Sequence, residues 1–379
     1  MPRRWKCLTV LVMFRAALGS VLRPLGAPLP SYRIAINWGE GESLVREVRY
    51  LPQGPIGAVL GSMGANSTLS STGASPPAFT IMSWNSLAQS LAQSRFFPYA
   101  AKGCLRKRPR QPLLHQEVFR YSADIICLQE MDLFSDLMQE ARKHQYDGVY
   151  KSKTVPAERQ PLGQAVLFNT KRFRLKESGC VEYGEDLMHG VALMALLEQV
   201  GGSGSAPRRV AVANTHLYWN PNREDIKAGQ VKLLLEKLEE FLRRTCGDGW
   251  RECPLVVTGD LNTSPGGVTY KTLQQQASLP ELRSAYASYG ELFPSQADAT
   301  GGMTTLGEGL QLGPRDDAES QGEPLFTTAT AKFVSTLDYI FHSKSSLKLK
   351  ALLSLPSGAS LAANPLLAAT WPHAFPSVS

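Results

Sequence analysis

Five short apolar runs in this chain each carry a polar group at one end. Phe79-Thr-Ile-Met-Ser-Trp leads to Asn85, Asp124-Ile-Ile-Cys-Leu-Gln to Glu130, Val210-Ala-Val-Ala-Asn-Thr to His216, and Pro254-Leu-Val-Val-Thr-Gly to Asp260, while Leu337-Asp338-Tyr339 opens the fifth. Apolar runs of this length, bounded by turn signals, predict buried strands. Amphipathic stretches lie between them. The clearest predicts a helix from about Arg223 to Arg244, with Val231, Leu234, Leu235, Leu238, Phe241 and Leu242 on one face and Lys232, Lys237, Glu239 and Glu240 elsewhere. Asn222 suits its N-cap and Gly247 its stop. A second helix is expected over 113–121, and strands over 191–197 and 210–214, joined by a flexible loop at 201–206. Strands alternating with helices at no fixed repeat predict an α/β protein. The polar strand ends are expected to converge on one rim of a sheet.

The pattern breaks over 54–77, which is rich in Gly, Ser, Pro and Ala and reads as a linker. It separates a basic extension, 1–53, from a catalytic domain, 78–379. Met1 to Gly39 holds no Asp or Glu, and Arg3, Arg4, Lys6, Arg15, Arg23 and Arg33 alternate with apolar groups, as in organelle transit peptides. A secretory signal competes, but Arg15 cuts its apolar region short; an untargeted basic extension is the third reading. Mitochondrial or cytoplasmic placement is expected. A polar insertion over 301–323, with Asp316, Asp317 and Glu319, reads as a mobile surface loop.

Charge changes this picture modestly. Lys plus Arg exceed Asp plus Glu by 7, and the pI is near 9.0. Such a balance favours polyanionic partners, and a solvated basic surface explains it equally well. The 6 cysteines are scattered without a C-x-x-C pair and read as reduced thiols, with Cys127 a small core hydrophobe. No run is long enough to span a bilayer, so no membrane partner is expected.

Candidate chemistry sits at the strand ends. Asp260 and Asn262 are two residues apart and share one side of an extended backbone, so a carboxylate and an amide can orient and deprotonate a water beside a cation. The plainer reading is a turn in which both cap backbone groups. Glu130 suits a hard cation such as Mg²⁺, or else starts a helix on the surface; Asn85 can add a neutral oxygen ligand, or else cap the segment after it. His216 can donate to a phosphate oxygen, or else be a satisfied structural group.

Together these residues resemble the endonuclease/exonuclease/phosphatase family of Mg²⁺-dependent phosphodiesterases. Trp-Asn-x-Leu-Ala-Gln at 84–89, Asn-Thr-His-Leu-Tyr-Trp-Asn-Pro at 214–221, then Asp225, Lys227 and Gln230, and Leu325-Phe-Thr-Thr with Phe333 ahead of Leu337-Asp-Tyr-Ile-Phe, are similar to its deadenylase branch. The resemblance covers about Phe79 to the C-terminus. It implies an α/β four-layer sandwich, two packed mixed β-sheets flanked by helices, with the site at one end. By resemblance Glu130 is the principal metal ligand, Asn85 helps position metal and phosphate, Asp260 activates water, Asn262 orients it, and His216 contacts the scissile phosphate. Asp338 supports a further histidine. Pro221 and Phe333 fall where the deadenylases pack on adenine, and Asn214 joins them as a substrate-binding residue. The implied activity is 3′–5′ exoribonuclease action on poly(A) RNA 3′ ends, releasing AMP, with Mg²⁺ or else Mn²⁺ as cofactor. Hydrolysis of 2′,5′-oligoadenylate or of a dinucleotide 2′-phosphate is the alternative within the family.

Two departures qualify the resemblance. Gly190 stands where many relatives have Asn. Relatives close with Pro-Ser-Asp-His and one more apolar strand, whereas here Phe375-Pro-Ser-Val-Ser379 ends the sequence. Loss of one preorganised donor costs ~10² to 10³ in rate, and loss of the strand is expected to leave an unpaired sheet neighbour. A truncated product, or an inactive RNA-binding pseudoenzyme, is therefore the reading from another class.

Overall fold

The computed structural model describes residues 78–97, 103, 105–153, 162–201, 208–293, 321–328 and 335–355, and the backbone alone of 10–16, 31–38, 42–50, 304–305, 311–312, 329–330 and 333–334. The linker at 54–77, most of the insertion at 301–323, and the Pro-Ser-Val-Ser close lie outside the described residues.

Strands β1 (Val10–Ala16), β2 (Ser31–Trp38), β3 (Glu42–Tyr50), β4 (Ala78–Asn85), β5 (Ile125–Met131), β6 (Tyr146–Ser152) and β7 (Gly163–Asn169) precede β8 (Phe173–Tyr183), β9 (Gly190–Gln199), β10 (Arg209–His216), β11 (Leu255–Asp260) and β12 (Leu282–Ser284). Short ribbons follow as β13 (Thr304–Thr305) with β14 (Gln311–Leu312) and β15 (Thr328–Thr330) with β16 (Phe333–Ser335), then β17 (Asp338–Ser343) and β18 (Leu347–Leu353). The helices are α1 (Lys107–Arg120), α2 (Phe134–Lys143), α3 (Glu224–Cys246), α4 (Val268–Gln275) and the single turn α5 (Tyr289–Leu292). One sheet runs β2-β3-β18-β1-β4-β5-β7-β6 and the other β12-β17-β11-β10-β9-β8. Both are mixed: β4 with β5 and β10 with β11 are parallel, and their other neighbours are antiparallel.

Strand period explains the layering. In β5, Ile125 and Cys127 face the second sheet and meet Val166, Phe168, Leu193, Val212 and Val256. Their neighbours Ile126 and Leu128 face outward onto Leu114 and Val118 of α1 and Leu137 and Met138 of α2. In the second sheet Met194, Leu196, Ala211, Ala213 and Val257 face outward onto Val231, Leu234, Leu238 and Phe241 of α3. Strands covered on both faces read as continuous apolar runs, which is why the sequence pattern located them. Helix, sheet, sheet and helix give the expected four layers. Burial keeps the Cys127 thiol protonated, its pKa pushed up to about 12.

Three details differ from expectation. The long helix starts at Glu224 with Arg223 at its N-cap, and no side chain caps it; Asn222 instead lies in the preceding turn. The shorter helix begins at Lys107, and Pro112 lies within it. The edge expected to be open is filled, since β1 pairs antiparallel with β4 on one side and β18 on the other, and β2 and β3 extend the same sheet. The N–H and C=O groups along that side of β4 thereby find backbone partners. The segment expected as an extension thus lends three strands to the first sheet.

Candidate active site

Strand register brings the polar ends together. Asn85 is paired with Gln129, one residue before Glu130, across β4 and β5, and His216 is paired with Asp260 across β10 and β11. Asp260 is in turn opposite Asp338 of β17. Both parallel pairs therefore finish at the same end of the sandwich. Asn214 fixes the two sheets beneath them: its Oδ1 accepts from Gln129 Nε2 at 2.7 Å, and its Nδ2 donates to Leu128 O at 2.9 Å and Ala165 O at 3.0 Å. Fully buried and engaged at both ends of its amide, Asn214 is a strut between the sheets, not the substrate-facing residue expected from its motif.

Above it Asn85 Nδ2 donates to Glu130 Oε1 at 3.2 Å and to Asp260 Oδ2 at 3.1 Å, while Asn85 Oδ1 accepts from Leu87 N at 3.1 Å. His216 lies against both acids, with Nε2 3.4 Å from Asp260 Oδ2 and Nδ1 3.8 Å from Glu130 Oε1. Glu130 Oε2 also accepts from Ala88 N at 3.3 Å. Burial raises the Glu130 carboxyl above the ordinary carboxylate range; the Asn85 and Ala88 hydrogen bonds oppose this, and the Asp260 charge adds to it.

Backbone conformation aims these groups. Glu130 has φ +55° where the pairing of β5 with β7 shifts register, so a bulge turns its side chain off the ladder. Asn262 has φ +53°, and strain of this kind concentrates at functional sites. Asn262 N donates to Asp260 Oδ1 at 3.1 Å, and its Nδ2 to Leu217 O at 2.9 Å. Lys227 of α3, fully buried, donates to Asn262 O at 2.7 Å and pairs with Glu224. Gly259 has φ +146°, and a Cβ there would sit 1.9 Å from Thr215 O, so β10 and β11 approach too closely for any side chain.

The other expected residues are distributed as follows. Asp338 is buried, and its Oδ2 accepts from Thr327 Oγ1 at 2.7 Å, a hydroxyl that also receives Leu337 N and Asp338 N. Pro221 lies half-buried in the turn after Tyr218 and Trp219, with Trp219 exposed. Phe333 opens β16, and its side chain lies outside the described residues. A Cβ on Gly190 would meet the Tyr183 ring at 2.8 Å, so this chain fills with Tyr183 the place an Asn would need.

Two functional neighbours escaped the sequence reading. Lys153, just after β6, is lowered by burial, while the Glu130 and Asp260 charges favour its ammonium; its only signal was a cation at a strand end. Arg110 of α1, buried, donates to Ser86 O at 2.5 Å and Leu87 O at 2.6 Å and so pins the turn that follows Asn85. Nothing in the pattern of a helix with Pro112 inside it marks that arginine.

No cluster of three or more His, Cys, Asp or Glu arranged as a metal centre occurs among the described residues. A Mg²⁺ site does not need one, because Mg²⁺ takes one or two carboxylates and completes its shell with water and substrate phosphate. Two buried carboxylates sharing one amide donor, one of them driven up by burial and by the other, fit such a cation.

Residues 82–372 match the Endonuclease/Exonuclease/phosphatase family. The chain is 29% identical over 298 residues to Carbon catabolite repressor protein 4 homolog 5 of Arabidopsis thaliana, covering 65% of this chain and 64% of that protein. It is 28% identical over 307 residues to 2′,5′-phosphodiesterase 12 of Rattus norvegicus, covering 73% of this chain and 46% of that protein. It thus spans about half to two thirds of the length of these relatives. The catalytic domain of human Nocturnin has the same fold with a TM-score of 0.55 at 28% identity, over 74% of this chain and 88% of that one. ANGEL2, described as a 2′,3′-cyclic phosphatase, superposes with a TM-score of 0.54 at 25% identity, over 75% of this chain and 88% of that one. The chain belongs to the endonuclease/exonuclease/phosphatase family, in the branch that holds the carbon-catabolite-repressor deadenylases, nocturnin and the 2′,5′-phosphodiesterases.

Proposed function

We propose that this protein is a Mg²⁺-dependent 3′–5′ exoribonuclease of deadenylase type that shortens poly(A) RNA and releases AMP. The observation that carries the reading is the Asn85 amide bridging Glu130 and Asp260 with His216 against both carboxylates. Glu130, assisted by Asn85, would hold the cation, which supplies Lewis-acid stabilisation of charge on the scissile phosphate; Mn²⁺ would fit the same oxygen donors. Asp260 accepts a proton from the attacking water, and Asn262, held by Lys227, orients that water. His216 donates to a nonbridging phosphate oxygen as negative charge grows there. Lys153 is close enough to couple electrostatically to Glu130 and Asp260, whose charges favour its ammonium against the burial that disfavours it. Pro221 and Phe333 would pack on the terminal adenine, and stacking of this kind favours a purine.

Support for RNA as substrate comes from the names of relatives, among them the CCR4-Not complex 3′-5′-exoribonuclease subunit Ccr4 of Yarrowia lipolytica, 27% identical over 321 residues. The test is a side-by-side incubation of the purified chain with Mg²⁺ and 3′-adenylated RNA, 2′,5′-oligoadenylate, or a dinucleotide 2′-phosphate. Stepwise shortening of the 3′-adenylated RNA supports the reading. Preferential turnover of either other substrate moves the activity to the 2′ position, and RNA binding without cleavage makes the chain a pseudoenzyme.

A further inference from the structure

Segment 86–90, which leaves β4 just after Asn85, is gripped at its two ends by groups of opposite charge. At one end buried Arg110 of α1 donates from Nη2 to Ser86 O at 2.5 Å and to Leu87 O at 2.6 Å. At the other, Asp132 accepts from Gln89 N at 3.0 Å through Oδ1 and from Ser90 N at 2.8 Å through Oδ2. A guanidinium thus takes the carbonyls and a carboxylate takes the amides, and all four are charge-assisted bonds. Gln89 links the two ends, since its Oε1 accepts from Arg110 Nη1 at 3.4 Å while its Nε2 donates to Leu105 O at 2.8 Å. Asp132 also lies two residues after Glu130, so it ties the segment to the strand end that carries that acid.

We propose that Arg110 and Asp132 are paired positioning residues that set the geometry of the cation site by holding segment 86–90 in one conformation. The inference rests on the reading of Glu130, assisted by Asn85, as the group that holds Mg²⁺. Between the two gripped ends, Leu87 N donates to Asn85 Oδ1 at 3.1 Å and Ala88 N donates to Glu130 Oε2 at 3.3 Å. The first bond fixes which end of the Asn85 amide faces Glu130 and Asp260, and the second orients the Glu130 carboxylate. Leu87 itself has φ +50°, a left-handed conformation that persists only where its surroundings hold it. Its side chain is buried with Phe97 and Leu105, and its carbonyl is one of the two that Arg110 takes. Loss of either charged group therefore frees the segment to relax, and the Leu87 and Ala88 amides lose their aim. Arg110 and Asp132 act through this turn and not on the reacting atoms.

Binding of Mn²⁺ to the full chain, followed by the electron paramagnetic resonance signal of the free ion, tests this without relying on catalysis. Arg110→Met and Asp132→Ala are each expected to bind Mn²⁺ about 10- to 100-fold more weakly than the wild type, with unchanged far-ultraviolet circular dichroism. Arg110→Lys, whose ammonium can still donate to the two carbonyls, should retain more affinity than Arg110→Met. The rate of each variant on 3′-adenylated RNA should climb back toward the wild-type value as Mg²⁺ is raised, which a loss of stability alone does not produce. Asp132 is only partly buried, so Asp132→Ala decides the question even where Arg110→Met fails to fold. Wild-type binding that is lost in Glu130→Gln but unchanged in Asp132→Ala and in the folded Arg110 variants overturns the proposal and leaves the reading of the site standing. Absence of Mn²⁺ binding by the wild type, or binding that Glu130→Gln leaves intact, overturns both.

Discussion

Asn85 Nδ2 donates to Asp260 Oδ2 across the two sheets at 3.1 Å, a contact between residues 175 positions apart in the chain. Because the same nitrogen also reaches Glu130, replacing it by oxygen would place three carboxylates on one point. Asn85→Asp is therefore expected to lower kcat by ~10² to 10³ with little change in overall fold content, and Asn85→Ala by a similar factor. Steady-state rates on 3′-adenylated RNA, beside far-ultraviolet circular dichroism, check this. A variant with unaltered kcat would show that the bridge is only structural.

Lys227 is a buried cation whose partners are Glu224 and the carbonyl of Asn262. Lys227→Met keeps most of the side-chain volume but leaves the partly buried Glu224 without its cation, and breaking a buried pair costs about 3 to 5 kcal/mol. The urea midpoint should fall accordingly. Material that still folds should show lower kcat, since Asn262 loses its anchor.

Gly259 permits β10 and β11 to close behind His216 and Asp260. In Gly259→Ala the added carbon meets the Thr215 carbonyl and the backbone must leave φ +146°. A loss of at least about 2 kcal/mol in stability is expected, read by chemical denaturation. A wild-type midpoint would mean that the strands can separate freely there.

His342, on β17, is depressed by burial to a pKa of about 4 from 6.5. Between those values the unfolded chain binds a proton that the folded chain does not, so stability falls as pH is lowered from 6.5 toward 4 and this effect is absent above 6.5. The full difference is about 3 kcal/mol. Comparing unfolding free energies of the wild type and His342→Gln at pH 7.5 and pH 5 isolates it: the wild type should lose more on acidification. Equal losses would show that His342 titrates normally in the fold.

The legible part of this protein was the part governed by local pattern. Strands such as β5 and β11, covered on both faces, leave unbroken apolar runs, so Glu130 and Asp260 stood out as acids where those runs stop. The face of α3 was legible for the same reason. What depends on partners distant in sequence was not. Asn214 carries the same strand-end signature as His216 but lies one pleat deeper, where its amide is consumed between sheets. Arg110, Lys153 and Thr327 reach the site from a helix, a strand end and a loop whose sequences hold no periodic cue. The strand role of Val10–Ala16 left no cue among basic residues that also suit a targeting segment, and it shows only in the pairing with β4 and β18.

The most direct measurement is the Mg²⁺-dependent release of AMP from 3′-adenylated RNA by the wild-type chain and by Glu130→Gln, each shown to be folded by its thermal melt. Glu130→Gln keeps the size of the buried side chain and one of its two accepted hydrogen bonds while removing the charge that would hold the cation. Release by the wild type, at least about 10²-fold lower in Glu130→Gln, is the expected result. Equal release by both proteins, or wild-type release that persists in excess chelator, would contradict a metal-assisted site built on Glu130, Asn85 and Asp260.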